Sequence, residues 1–262
     1  SVFFQTPYVL SIAYKVLVVM LEGEEAAKRA LPVRDRDLGK MVPFPNQPII
    51  SEVVAAGGKL KPILADSTLI IQGKNLHSEI TKVRIGQVEV TPESVENNQI
   101  TLPLASIPTN SLKAGVQSLQ VIHHISPGTE PVTHNQVESN VAPFVLCPTV
   151  TRVSPGNVED IDQESCAAEI TVQVNLLLGK EQRVVLALNQ WSTDNPTSYL
   201  FDAPKRRKDT HAVTVSVNKV LPGEYLVRLM VDGAESQLSI DENPNSPTFN
   251  WYVAPKVELL NC

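Results

Sequence analysis

Short runs rich in Val, Ile and Thr, each closed by a turn signal, dominate the chain from residue 49 onward. Seven of them, at 49–55, 68–72, 82–85, 88–90, 99–104, 118–123 and 141–146, fall within about 100 residues, the pattern of a β-sandwich. A second set follows at 149–153, 169–174, 183–188, 212–217, 224–231, 236–240 and 249–253. Asp232-Gly233, between two of these runs, suits the primed turns whose twist matches the flanking strands, so a hairpin is expected there. The two sets predict a duplicated architecture without close sequence identity.

The pattern before residue 49 is different. Tyr8, Leu10, Ile12, Tyr14, Val16, Val18 and Met20 put an apolar residue at every even position, and from Leu17 the odd positions turn apolar too. Such a segment reads as a long strand whose second half is buried on both faces and needs sheet neighbours. Residues 22–36 are charged and supply none, so the partners are expected upstream or in another chain, because a lone strand is not stable in water. Residues 24–31 suit a short helix or a hairpin arm. The run Met41-Val-Pro-Phe-Pro-Asn-Gln-Pro48 reads as an extended linker, since each proline biases the residue before it away from helix. The expected domains are therefore 1–45, 46–147 and 148–262.

Composition sharpens this picture in four places. Twenty prolines against twelve glycines fit short strands broken by turns. A net charge of −6 argues against a nucleic-acid partner, which needs a basic face, and against direct attraction to anionic lipid. The only dense basic run, Lys205-Arg206-Arg207-Lys208, is expected to be a solvated turn. Cys147, Cys166 and Cys262 show no metal spacing, so reduced thiols and a cytosolic origin are expected. The apolar stretch from Val9 to Leu21 is interrupted by Lys15 and too short to span a bilayer as a helix. A chain that starts at Ser1 without a basic n-region or cleavage site is expected to be part of a longer product.

Catalytic chemistry has no foothold in the pattern. There is no Gly-x-Ser-x-Gly, no His-Glu-x-x-His and no dinucleotide fingerprint, and Gly179-Lys180 lacks the rest of a phosphate loop. His123 and His124 are neighbours on an expected strand, so they point to opposite faces and do not share a metal. His77, His134 and His211 are expected at the surface. Asp160, Asp162 and Glu164 alternate as a calcium loop does, but lack its glycine and terminal glutamate, so a solvated loop is expected. The chain thus reads as a non-enzyme with no cofactor and no metal. Trp191 and Trp251, flanked by amides, are candidate surface-contact residues of the sugar-stacking type, with core or inter-domain packing the competing reading.

Thr68-Leu-Ile-Ile-Gln-Gly-Lys-Asn-Leu76, followed by Val83-Arg-Ile-Gly86, resembles the opening of an IPT/TIG immunoglobulin-like domain, in which an apolar strand ends in Gly-x-Asn-Leu. Three longer motifs are more specific: Leu112-Lys-Ala-Gly-Val-Gln-Ser-Leu-Gln-Val121, Glu138-Ser-Asn-Val-Ala-Pro-Phe-Val-Leu146, and the segment from Leu221-Pro-Gly-Glu-Tyr225 to Val231-Asp-Gly-Ala-Glu-Ser236. With Thr6-Pro-Tyr-Val-Leu-Ser-Ile-Ala-Tyr-Lys-Val16, they resemble the C-terminal part of the cap, or tail-terminator, proteins of phage-tail-like contractile injection systems.

That resemblance implies an all-β chain: two tandem immunoglobulin-like β-sandwiches preceded by closing β strands of an incomplete N-terminal α/β terminator domain. It implies a hexameric ring closing the baseplate-distal end of tube and sheath. The sandwiches are then outer docking or decoration domains, and Tyr8 to Met20 an assembly interface. Partners would be other copies of the chain, sheath and inner-tube proteins, and other cap components. The location would be the cytoplasm, in an assembled particle that is free, membrane-associated or released on lysis. The alternative is a carbohydrate-binding or adhesin-like tandem module, and a third reading is an accessory part of a secreted enzyme.

Overall fold

The computed structural model describes residues 46–124, 136–156, 159–162, 165–192 and 195–259. The expected assembly strand carrying Tyr8, Leu10, Ile12, Tyr14, Val16, Val18 and Met20 lies outside them, as does His134. Among the described residues the chain is nearly all antiparallel β-structure, with two three-residue 3-10 turns at Leu104–Ser106 and Thr109–Ser111.

The first sandwich uses β1 (Ile49–Ala55), β2 (Thr68–Lys74), β3 (Ile80–Ile85), β4 (Val88–Val90), β5 (Ser94–Val95), β6 (Gln99–Pro103), β7 (Gly115–His124), β8 (Gln136–Glu138) and β9 (Ala142–Leu146). One sheet runs β1-β2-β6-β5; the other runs β4-β3-β7, with β8 and β9 successively paired along β7. Alternation explains the packing: Leu69 and Ile71, Ile100 and Leu102, Val83 and Ile85, and Leu119 and Val121 all turn inward and are buried.

Gly-x-Asn-Leu has a physical reading here. A Cβ at Gly73 would overlap the carbonyl oxygen of Ile49, where β1 bulges between Ile50 and Glu52. Asn75 takes a left-handed φ of 54°, which Asn tolerates well, and Leu76 drops into the core fully buried.

The second sandwich uses β10 (Val150–Pro155), β11 (Glu159–Asp162), β12 (Ser165–Leu178), β13 (Val184–Gln190), β14 (Ser198–Asp202), β15 (Thr210–Val220), β16 (Gly223–Val231), β17 (Ala234–Glu235), β18 (Ser239–Ile240), β19 (Tyr252–Ala254) and β20 (Lys256–Leu259). Here β12 pairs with β10, β11 and β15 in one sheet, and β14-β13-β16-β20 form the other. Every second residue of β12 from Cys166 to Leu178 is buried, each Val, Ile or Leu among them contributing roughly 1.5–3 kcal/mol.

Several expectations change. The hairpin at Asp232-Gly233 forms, with φ of 47° and 87°, and joins Val231 to Ala234. The expected strands at 236–240 and 249–253 are instead short pieces, β17 to β19, because prolines and amides between them favour turns. Strands β14 and β20 were not expected. Asp160 and Asp162, expected in a loop, belong to β11, which pairs with β12.

Candidate functional site

Leu112, fully buried, follows the Thr109–Ser111 3-10 turn and leads towards β7, and the backbone there runs alongside the end of β12. Lys113 forms a parallel bridge with Leu177: the Ala114 amide donates to the Leu177 carbonyl at 2.9 Å, and the Leu177 amide donates to the Leu112 carbonyl at 3.1 Å. A β-type contact therefore ties the two sandwiches together.

Polar side chains close around it. The Gln182 amide nitrogen donates to the Ala114 carbonyl at 2.8 Å and to Asp232 Oδ2 at 3.0 Å, while Asp232 Oδ1 accepts from the Arg183 amide at 2.9 Å. Gln182 Oε1 accepts from the Gly179 amide at 2.7 Å, so the side chain is satisfied at both ends. Lys113 Nζ meets Asp209 Oδ2 at 2.8 Å, and Lys113 together with the Lys180 amide holds the Asp209 carboxyl below the usual range. On the other flank, Cys147 is buried, its amide donates to the Ile63 carbonyl at 2.8 Å, and burial pushes its thiol pKa up.

The second cluster lies at the other end of the β14-β13-β16-β20 sheet. Trp191 follows β13; its indole donates to the Tyr252 carbonyl at 2.8 Å, and its amide donates to the Glu224 carbonyl at 2.8 Å. Lys256 Nζ sits over the Trp191 ring at 3.0 Å from the centroid and pairs with Glu224 at 3.4 Å, and Trp251 meets Trp191 edge-on at 6.2 Å. The two tryptophans expected as candidate contact residues are thus brought together. Lys256 occupies one face of Trp191, whereas Trp251, Tyr252 and Phe249 are each more than two-fifths exposed. The pair clamps the 237–255 crossing onto the sheet.

The histidines divide as their alternation predicts. His123 is buried, 3.0 Å from the Leu76 carbonyl, and His124 faces the other way, 3.9 Å from Glu89. Glu89 also pairs with Arg84, which bonds Glu138 and so spans β4, β3 and β8. His77 and His211 are exposed. Among the described residues, no group of three or more His, Cys, Asp or Glu is placed to hold a metal.

Cys147 is a free thiol, but Cys166 is disulfide-bonded, which corrects the expectation of reduced cysteines throughout. The cysteines therefore give no support for a reducing compartment. Among the described residues no helix is long and apolar enough to cross a membrane.

What sequence reasoning missed is the joint. Its signal was present in Leu112 to Gly115 and in Asp232, but nothing in a single sequence announces that a β7 entry and a β16 turn will meet. No curated protein matches the chain. Residues 148–258 match a family described as a domain of unknown function (DUF8756). Residues 48–134, the stretch that holds Gly73, Asn75 and Leu76, match the IPT/TIG domain family, and the chain carries an IPT/TIG immunoglobulin-like domain.

Proposed function

We propose that the chain is a structural subunit of a phage-tail-like contractile injection particle. In this reading it belongs to the cap that closes tube and sheath at the baseplate-distal end, in the hexameric ring that the resemblance implies. One observation carries the reading. The three long motifs that resemble cap proteins converge on the joint: Leu112 to Gly115 from the first, Leu146 leading into Cys147 from the second, and Asp232 from the third. Residues that fix the mutual placement of two sandwiches suit a scaffold more than a catalyst, because a ring of identical subunits needs each copy to present its domains in the same way.

The test is imaging of intact particles from cells expressing the full reading frame with this chain labelled. Label at the baseplate-distal end, in a ring, is the expected result. Label elsewhere on the particle, or no association with particles, overturns the proposal.

The exposed Trp251, Tyr252 and Phe249 favour a second reading, a carbohydrate-binding module. Glycan-array binding that disappears in Trp251→Ala supports it.

A further inference from the structure

We propose that the free edge of β14 is a docking strand for an extended, acidic segment of a partner protein, which adds to the β14-β13-β16-β20 sheet and sets its carboxylates against the basic loop that follows. This goes beyond the cap reading and does not depend on it.

Strand β14 pairs with β13 alone. The Gln190 amide donates to the Thr197 carbonyl and the Ala203 amide to the Val184 carbonyl, which fixes the alternation between them. Tyr199 and Phe201 therefore bond β13, and Ser198, Leu200 and Asp202 turn their N–H and C=O groups to the outer side. Among the described residues no strand pairs there.

An open edge of this kind recruits another strand unless something blocks it. Several other edges among the described residues are blocked or broken. Asn140 caps β1 by accepting from the Ile50 amide at 2.8 Å and donating to the Ile50 carbonyl at 3.0 Å. Strand β9 carries Pro143, β10 carries a bulge, and β4 and β5 have three residues or fewer. Strand β15 slips register at both ends of its pairing and turns Thr214, Ser216 and Asn218 outward. Strand β14 has an unbroken register, no proline, glycine or lysine, and Leu200 at 67 % exposure.

Charge selects the occupant. Arg206 buries its guanidinium against the Gly179 and Gln182 carbonyls, and so pins the loop that leaves β14. Lys205, Arg207 and Lys208 are exposed on it, and none has an ion pair among the described residues. In a chain of net charge −6 this fixed group of cations calls for carboxylates at one end of an incoming strand. The recognition is strand addition, with main-chain bonds for affinity and flanking side chains for choice.

The probes are two labelled synthetic peptides of alternating valine and threonine, one with an Asp-Glu-Asp block at its N-terminus and one at its C-terminus, which covers both strand directions. Anisotropy titration of the full chain should show one binding, at roughly 10–100 µM, with slowed amide exchange at Leu200 and Asp202. Replacing the acids by serine, or using the K205E/R207E/K208E chain, should weaken binding at least tenfold. Leu200→Lys, on an exposed side chain, should do the same with an unchanged melting temperature. The proposal is overturned if neither peptide binds, if the charge-reversed chain binds equally well, or if Leu200→Lys instead dissolves a concentration-dependent dimer of the chain alone.

Discussion

The Tyr225 hydroxyl donates a 2.6 Å hydrogen bond to the carbonyl oxygen of Leu221, four residues back, across the turn where the chain leaves β15 for β16 in the facing sheet. This is the tyrosine corner of immunoglobulin-like sandwiches. The Tyr225 ring is fully buried and meets Tyr199 edge-on, while the Tyr199 hydroxyl accepts from the Leu221 amide at 3.3 Å. Both main-chain polar groups of Leu221 are thereby held by tyrosines.

Tyr225→Phe keeps the ring and removes the donor, so it should destabilise the second sandwich by about 1–2 kcal/mol in urea unfolding. Burial pushes the Tyr225 pKa up to about 12. A phenol whose folded pKa lies above its unfolded value, about 10, contributes stability that is complete below pH 10 and lost as pH rises towards 12. The alkaline loss of stability between those pH values should be smaller in Tyr225→Phe than in the parent.

Gly115 opens β7 at a φ of 98°, and a Cβ there would meet Gln182 Nε2 at 2.8 Å and the Val231 carbonyl at 3.4 Å. Gly115→Ala thus combines backbone strain with displacement of the side chain that bonds both Ala114 and Asp232. A cost of about 1–3 kcal/mol is expected. The loss should concentrate at the joint, read as faster proteolysis between the sandwiches and a broader distance distribution in small-angle scattering. Unchanged cleavage between the sandwiches would count against the joint as a fixed element.

The sandwich class was legible because apolar residues alternate, and alternation reports burial on one face. Strand β12 shows the limit: only 169–174 was expected, yet pairing runs from Ser165 to Leu178, since Asn175 and Cys166 interrupt the composition but not the alternation of burial. Strand β14 was overlooked because Ser198 and Asp202 look like loop residues when the partner β13 is not in view. The histidine faces followed from the period-two rule alone. The joint did not, because its contacts join residues far apart in the chain, such as Gln182 with Ala114 and with Asp232. The pairing of Trp191 with Trp251 depends in the same way on how the 237–255 crossing returns to β13.

Trp191 links that crossing to the sheet through one hydrogen bond to Tyr252 and one ring contact with Trp251, with Lys256 of β20 over its ring. Trp191→Ala should release it, at a cost of about 2–3 kcal/mol, below the range for a fully buried tryptophan. Amide exchange should rise across 239–254 while β2 and β6 stay protected. Trp191→Phe keeps a ring under Lys256 but loses the bond to the Tyr252 carbonyl, so an intermediate loss is expected. Equal exchange in all three proteins would remove the clamp.

His123 gives the first sandwich its own pH response. The ring is buried in the β7 face that looks into the core, with its Nε2 at the Leu76 carbonyl and the Thr81 hydroxyl at 3.4 Å from that same carbonyl. Burial lowers the His123 pKa first of all, the Leu76 carbonyl opposes this, and the nearby His77 adds to the lowering. A depressed folded pKa means the unfolded chain binds the proton more readily. The stability contribution is therefore complete above the unfolded value, near 6.5, and is lost as pH falls below it. The urea midpoint of the first sandwich should drop between pH 7 and pH 5. In His123→Gln, which can still donate to the Leu76 carbonyl but does not titrate, stability at pH 7 should fall by about 1 kcal/mol and the acid drop should flatten. A parent protein whose midpoint is the same at both pH values would show that the imidazole charges without disturbing the core.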